Sequence, residues 1–237
     1  MIPLRDSIPA RGLPVVTWAL IGLNVCVFVF EMLLGPELES FVRIWGFVPA
    51  RYFLMADVVP FDWTTRYLPL VTCMFLHGGV LHLGSNMLYL WIFGDNVEDR
   101  LGHVRYLLFY LLAGVAAGLA HAYLNPGSIV PTVGASGAIS GVLGGYLVLF
   151  PRARVLTLFV LLLFFVQVVE VPAALYLAFW FLMQLVSGTA SLALAEDGSG
   201  GVAWWAHVGG FVVGMALAPL IRRRGPPQLW HDEYATR

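Results

Sequence analysis

The chain contains no lysine. Its 13 basic residues are all arginine, and charged residues make up only 11% of its 237 positions. A soluble domain carries roughly 25% charged residues, so this chain cannot cover a water-facing surface in the usual way. Hydrophobic residues reach 59% and the mean hydropathy is +0.82. These figures exclude a soluble enzyme, a disordered tail protein and a nucleic-acid binder. A net charge of −1 singles out no acidic partner. Cysteine is scarce too. Cys26 and Cys73 are too few for a disulfide framework, and Cys26, inside an apolar run, reads as a small buried hydrophobe. There is no H-E-x-x-H pattern and no pair of interrupted repeats of the kind transporters carry.

What the sequence does have is a series of apolar runs. A bilayer core about 30 Å thick needs ~20 apolar residues per helix. Leu13–Leu34, Val80–Phe93, Val104–Tyr123, Gly134–Phe150, Pro172–Ala195 and Val202–Ile221 are read as spans. The first is too long for a signal-peptide core and is followed by no small-x-small cleavage site, so it is expected to be retained. Val155–Val169, at about 15 residues, suits an interfacial or re-entrant segment better than a span. The expected fold is all-α and polytopic, a six-transmembrane-helix bundle over residues 13–222. A cytoplasmic segment (1–12) precedes it and a cytoplasmic tail (223–237) follows.

Arginine placement sets the orientation. With six spans, Arg5, Arg11, Arg100, Arg105, Arg152, Arg154 and Arg222–Arg224 share one side, leaving Arg43, Arg51 and Arg66 in a long loop opposite. Both termini are therefore expected in the cytoplasm. The loop, Gly35 to Thr72, mixes Phe41, Trp45, Phe53 and Trp63 with arginines and prolines. That pattern fits a segment lying in the membrane interface or a cap on the outer face of the bundle.

Polar side chains at membrane depth are expensive and so are functional candidates. Ser136 lies in Gly134-Ala135-Ser136-Gly137 at the start of the fourth span, where a helix N-terminus offers free N–H groups. Taken alone this tetrad is weak, because a small serine often merely packs between membrane helices. Gly137, Gly141 and Gly145 form one small-residue face, and Gly210 and Gly214 form another. Such faces let helix backbones approach closely. Each begins just beyond a polar residue, Ser136 or His207, so packing the faces would bring that pair to one depth. His82 and Asn86 are four apart and share a face of the second span. Both can donate a hydrogen bond, and two donors aimed at one point could form an oxyanion hole. The competing reading is hydrogen bonding that merely holds the bundle. His77 lies on a different face and suits support of the long loop, while His103, His121 and His231 are given no role.

Taken together these segments resemble the rhomboid family of intramembrane serine proteases. The likeness rests on Phe75-Leu76-His77-Gly78-Gly79 with His82-x-x-x-Asn86, Gly94-Asp95-Asn96-Val97-Glu98-Asp99, Gly134-Ala135-Ser136-Gly137-Ala138-Ile139-Ser140-Gly141 and Ala206-His207-x-x-Gly210-x-x-x-Gly214, in the family's order. The resemblance implies a bundle of rhomboid type with a long interfacial loop between helices 1 and 2. It implies Ser136 as nucleophile, His207 as general base, and His82, Asn86 and the Ser136 backbone N–H as oxyanion donors. There are departures. Trp63 and Arg66 lie upstream of where some members carry a Trp-Arg pair. Ser140 stands where some place a tyrosine that stacks on the histidine, so the His207 ring must be held in another way.

The expected function is an intramembrane serine endopeptidase that cuts transmembrane segments near their outer end. An adjacent base makes a serine hydroxyl nucleophilic, and no third member of the pair is evident from sequence, since Glu170, Glu196 and Asp197 are badly placed. The substrates would be transmembrane proteins in the lipid bilayer, with segments that Gly or Pro weaken as helices. No cofactor, metal or nucleic acid is implied. The alternative is a non-catalytic protein of the same fold that binds or moves membrane segments, which would have no use for both Ser136 and His207. The expected location is a prokaryotic cell (inner) membrane. Helical spacing alone places Val213 toward lipid.

Overall fold

A computed structural model describes residues 1–58, 62–161, 165–193 and 202–223. The polar stretch around Glu196 and the positions beyond Arg223 lie outside these residues, as does His231. Nine α-helices occur among the described residues: α1 (Val15–Leu33), α2 (Leu38–Trp45), α3 (Pro49–Val58), α4 (Pro69–Thr72), α5 (Val80–Leu101), α6 (His103–Leu124), α7 (Ser136–Leu149), α8 (Ala173–Ala193) and α9 (Trp204–Ile221). By length and composition α1, α6, α8 and α9 can each cross a membrane. A fifth crossing is available if α5 is joined to the helical segment Trp63–Phe75 across a bend of 80°. The fold is thus that of a mostly helical membrane protein.

The helices are inside-out by soluble standards. On α1 the buried stripe is Thr17, Leu20, Asn24, Phe28 and Glu31, while Leu23, Val29, Phe30 and Leu33 are exposed. Three of those five buried residues are polar, and each has a partner. Glu98 on α5 accepts hydrogen bonds from the Val16 and Thr17 backbone N–H groups and from the Thr17 hydroxyl. This carboxylate caps a helix start that has no side-chain cap of its own. Asn24 donates back to the Leu20 carbonyl. Glu31 accepts from the His77 backbone N–H. Cys26 is exposed on this helix, not buried. An apolar run in a membrane helix faces lipid as readily as protein, so its hydrophobicity does not show which side a residue takes.

At the centre stands α7. Every residue from Gly137 to Tyr146 is buried, as expected for a helix apolar all round. It packs against α5, α6 and α9, most extensively against α9. Glycine makes that contact possible. A side-chain carbon on Gly210 would overlap the carbonyl oxygen of Gly137, one on Gly214 that of Gly141, and one on Gly144 that of Phe211.

The all-α expectation needs correction. Ile2–Asp6 forms β1, Arg154–Leu161 β2 and Phe165–Pro172 β3, an antiparallel sheet in the order β1-β2-β3. The stretch Val155–Val169, expected as an interfacial or re-entrant segment, falls on strands β2 and β3, which pair antiparallel. It is rich in Val and Phe, which favour a pleated strand over a helix. Part of the N-terminal segment supplies the remaining strand, with Ile2 opposite Leu158. The sheet lies at the end of the bundle where α7 finishes. Arg154, Arg105, Arg100 and Arg223 gather there, Arg105 on the Ile221 carbonyl and the Arg223 N–H on that of Arg100.

At the other end, where α7 begins, the expected long loop is itself helical. Its buried Phe47 pairs with Thr132 through backbone hydrogen bonds, and Arg66 lies over the rings of Tyr52 and Tyr67 at 4.8 and 4.9 Å. Ile44, Leu54 and Trp63 remain exposed. The segment covers the bundle and presents apolar side chains outward.

Candidate active site

Ser136 is the first residue of α7, so its N–H belongs to the first turn and has no intrahelical acceptor. Gly134, two residues earlier, has φ +122, a conformation that glycine adopts readily and other residues rarely. It also has no room for a side chain, because a carbon there would stand 2.7 Å from His82 Nε2 and 3.6 Å from Asn86 Nδ2. The strained turn therefore lays backbone directly against the His82–Asn86 face.

From α9, His207 brings its Nε2 to 2.8 Å from Ser136 Oγ. The ring is buried, 9% exposed. Its other nitrogen, Nδ1, lies 2.8 Å from Gln184 Oε1 on α8. This third partner is absent from the sequence reading. Trp180, one turn earlier on α8, lies 5.9 Å from the His207 ring, and Trp204 meets it edge-on at 6.3 Å. These contacts hold the ring in place of the missing tyrosine. Ser140 instead donates to the Ser136 carbonyl at 2.6 Å.

His82 Nδ1 accepts from the Gly78 N–H at 3.4 Å. In a neutral ring the proton is then on Nε2, the nitrogen beside Gly134. Asn86 is 6% exposed, and its Nδ2 is buried with no hydrogen-bond partner. A buried donor left unpaired costs ~1–3 kcal/mol, and such a group often marks where a substrate atom belongs. His77 packs edge-on against His82 at 5.1 Å.

All four polar candidates line one cavity of about 1430 Å³, which also takes in Gln184 and His121. His121, at the end of α6, was unassigned from sequence, which does not show that this helix ends beside the site. No carboxylate or arginine lines the cavity among the described residues. No cluster of three or more His, Cys, Asp or Glu able to hold a metal occurs among them either.

Fold and cavity together define a polytopic membrane protein with a serine–histidine pair lying between its helices. A family model described as the rhomboid domain matches residues 64–224, and the chain belongs to the rhomboid family. It is 33% identical to "Rhomboid protein 1, mitochondrial" of Saccharomyces cerevisiae over 202 residues, 84% of this chain and 51% of that protein. It is 34% identical to "Rhomboid protease GluP" of Bacillus subtilis over 137 residues, 58% of this chain and 25% of the relative. "RHOMBOID-like protein 4" of Arabidopsis thaliana is 44% identical over 78 residues, 33% of this chain and 19% of that protein. The chain spans about half or less of the length of these relatives. They are a mitochondrial yeast protein, a bacterial protein and a plant protein, so they do not single out a prokaryotic membrane. What stands is an integral membrane protein.

Proposed function

We propose that this chain is an intramembrane serine endopeptidase that cuts transmembrane segments of other membrane proteins. The observation that carries the reading is the 2.8 Å contact between His207 Nε2 and Ser136 Oγ, in a cavity that also holds the unpaired amide of Asn86. His207 Nε2 takes the hydroxyl proton as Ser136 Oγ attacks the scissile carbonyl. The carbonyl oxygen becomes an oxyanion stabilised by the Ser136 N–H, Asn86 Nδ2–H and His82 Nε2–H. His207 then gives its proton to the leaving amine, and an acyl-enzyme remains. Water, deprotonated by His207, attacks the ester and restores Ser136. Substrate identity follows from helix physics, because a peptide bond inside a regular helix is shielded and a Gly- or Pro-weakened stretch is not.

With six spans, α1 and α5 to α9, the arginine distribution supports a cytoplasmic location for both termini and for the arginine-rich sheet end. With 14 residues, α7 is about 21 Å long, short of the ~30 Å core. Its first residue, Ser136, then lies below the outer surface, at the depth of the membrane.

The test is labelling of the purified protein with a serine-reactive fluorophosphonate, followed by cleavage of a reporter transmembrane substrate. Ser136→Ala and His207→Ala should each abolish both, and the double variant should lose little more, since such groups act as a unit. Labelling and turnover that persist in Ser136→Ala would overturn the reading. A reporter active only in the cytoplasm, fused after Arg237, should be active; an inactive one implies an odd number of spans.

A further inference from the structure

We propose that Gln184 is a positioning residue of this site: it holds His207 as the tautomer with its proton on Nδ1, so that Nε2 is free to accept the Ser136 proton. The inference rests on the hydrolytic reading above and deepens it.

Donor and acceptor logic fixes the arrangement. The Gln184 side chain bridges two groups, Trp180 O at 3.2 Å from its Nε2 and His207 Nδ1 at 2.8 Å from its Oε1. A backbone carbonyl only accepts, so the amide NH₂ must face Trp180, and the amide oxygen is left for His207. An amide oxygen also only accepts, so Nδ1 must be the protonated nitrogen. A neutral ring then presents a lone pair at Nε2, which faces Ser136 Oγ at 2.8 Å. The opposite tautomer would point two acceptors at each other across the Gln184 contact, and its Nε2–H would donate to Ser136 Oγ with no lone pair left to take the serine proton. Gln184 is 7% exposed, in a helix otherwise built of apolar and small residues over this turn. A buried amide there carries a desolvation cost, which the two hydrogen bonds offset.

The contact also explains how the site dispenses with a ring at position 140. Ser140 reaches only the backbone of its own helix. Gln184 and Trp180 sit one turn apart on α8, so one helix supplies both the hydrogen bond that orients the imidazole and an aromatic surface beside it. A neutral amide differs from the carboxylate of a Ser-His-Asp triad in one respect: it selects the tautomer without stabilising the imidazolium. The other titratable side chains lining the cavity are His82 and Tyr89 on α5, His121 on α6 and Cys73, with no carboxylate among the described lining residues. A carboxylate placed at position 184 would therefore be a new charge for the ring.

The experiment compares wild type, Gln184→Leu and Gln184→Glu in detergent or vesicles, with fluorophosphonate labelling rates and kcat and KM on the reporter substrate from about pH 4 to 9. Gln184→Leu, nearly isosteric and without an acceptor, should lower kcat and the labelling rate ~10–100-fold, toward the lower range of a general-base contribution, with KM little changed. Gln184→Glu restores an acceptor. It should recover activity relative to Gln184→Leu and move the acid limb of the pH–rate profile upward by about 1 unit, since a carboxylate favours the charged ring. A merely structural glutamine would not move that limb. Melting temperatures show whether Gln184→Leu is folded; should it not fold, the acid limb of Gln184→Glu decides alone. Wild-type kcat in folded Gln184→Leu, or an unmoved acid limb in Gln184→Glu, overturns the proposal while Ser136-dependent labelling of the wild type keeps the hydrolytic reading. A wild type that is not labelled at Ser136 overturns both.

Discussion

Gly214 and Gly141 meet backbone to backbone: a side-chain carbon on Gly214 would overlap the Gly141 carbonyl oxygen, and one on Gly141 would press on Ala113 and stand 3.3 Å from the Gly210 oxygen. Ser136 begins one of the two helices that these glycines join, and His207 lies in the first turn of the other. Their separation is therefore set by the thickness of a glycine seam several residues away.

A bulky residue in that seam should separate nucleophile from base without touching either. Gly141→Leu adds a side chain where overpacking typically costs ~1–3 kcal/mol. About 1 Å of misplacement can cost ~10²-fold in rate, so turnover should fall at least that far while the protein still folds. Gly141→Ala should be milder, and Gly214→Ala worse than Gly141→Ala, because its obstacle is backbone. Val213, which spacing alone turns toward lipid, is half-buried; Val212 is 51% exposed and is the better control. Val212→Leu should be silent. Fully active Gly141→Leu would mean that the seam does not set the Ser136–His207 distance.

Asn86 gives a second test. Its unpaired Nδ2 is one of three donors assigned to the oxyanion, and losing one such donor typically costs ~10²–10³ in kcat. Asn86→Ala should therefore slow cleavage without abolishing it, and its melting temperature should not fall, since no protein partner loses a hydrogen bond to Nδ2. Loss of activity strictly in step with loss of stability would make Asn86 structural.

Parts of this arrangement are legible in the sequence for physical reasons. Small residues at period four mark where helices can touch, and a serine or histidine at the head of such a face has a predictable depth. The apolar runs give α1, α6, α8 and α9 to within two or three residues. The sheet is different. Ile2 pairs with Leu158, and nothing local in the five residues of β1 announces a partner so distant in the chain. Gln184 does carry a signal, a lone amide inside an apolar run, of the kind that draws attention to Asn86. Its partner, 23 positions away in the chain, depends on how α8 docks, and periodicity does not supply that.

Glu98 is expected to matter for stability rather than chemistry. It is 1% exposed and accepts from two backbone N–H groups, the Thr17 hydroxyl and His103 Nδ1. Glu98→Ala would strand those donors, at a cost on the order of 3 kcal/mol or more. Glu98→Gln, which keeps one acceptor oxygen, should be milder. Thermal unfolding in detergent measures the order of the three proteins. At low temperature Ser136 labelling should survive in both variants, because Glu98 sits at the sheet end of α5, away from the cavity. Equal melting temperatures would show that the start of α1 is not held by this carboxylate.

Asp6 makes stability depend on pH in the opposite sense to an ordinary surface carboxylate. It belongs to β1, outside the membrane helices, and its Oδ2 accepts from Asn96 Nδ2 at 2.9 Å and from the Tyr146 hydroxyl. These bonds favour the charged form, but burial outweighs them and pushes the carboxyl up from 3.8 to about 6. A carboxyl whose folded pKa is raised is held protonated by the folded state when the unfolded chain has already released the proton. Its favourable contribution is complete below about pH 4 and is lost as pH rises through about 6. Asp6→Asn keeps an acceptor for Tyr146 and Asn96 and cannot ionise. The variant should therefore gain on the wild type as pH rises from about 4 to 7, by at most about 3 kcal/mol at ~1.4 kcal/mol per pKa unit, with no further gain above that. Melting curves of both proteins at pH 4, 5, 6, 7 and 8 measure the gap. A gap that is constant across this range, or that closes as pH rises, would show that the Asp6 carboxyl is not held neutral against Tyr146 and Asn96.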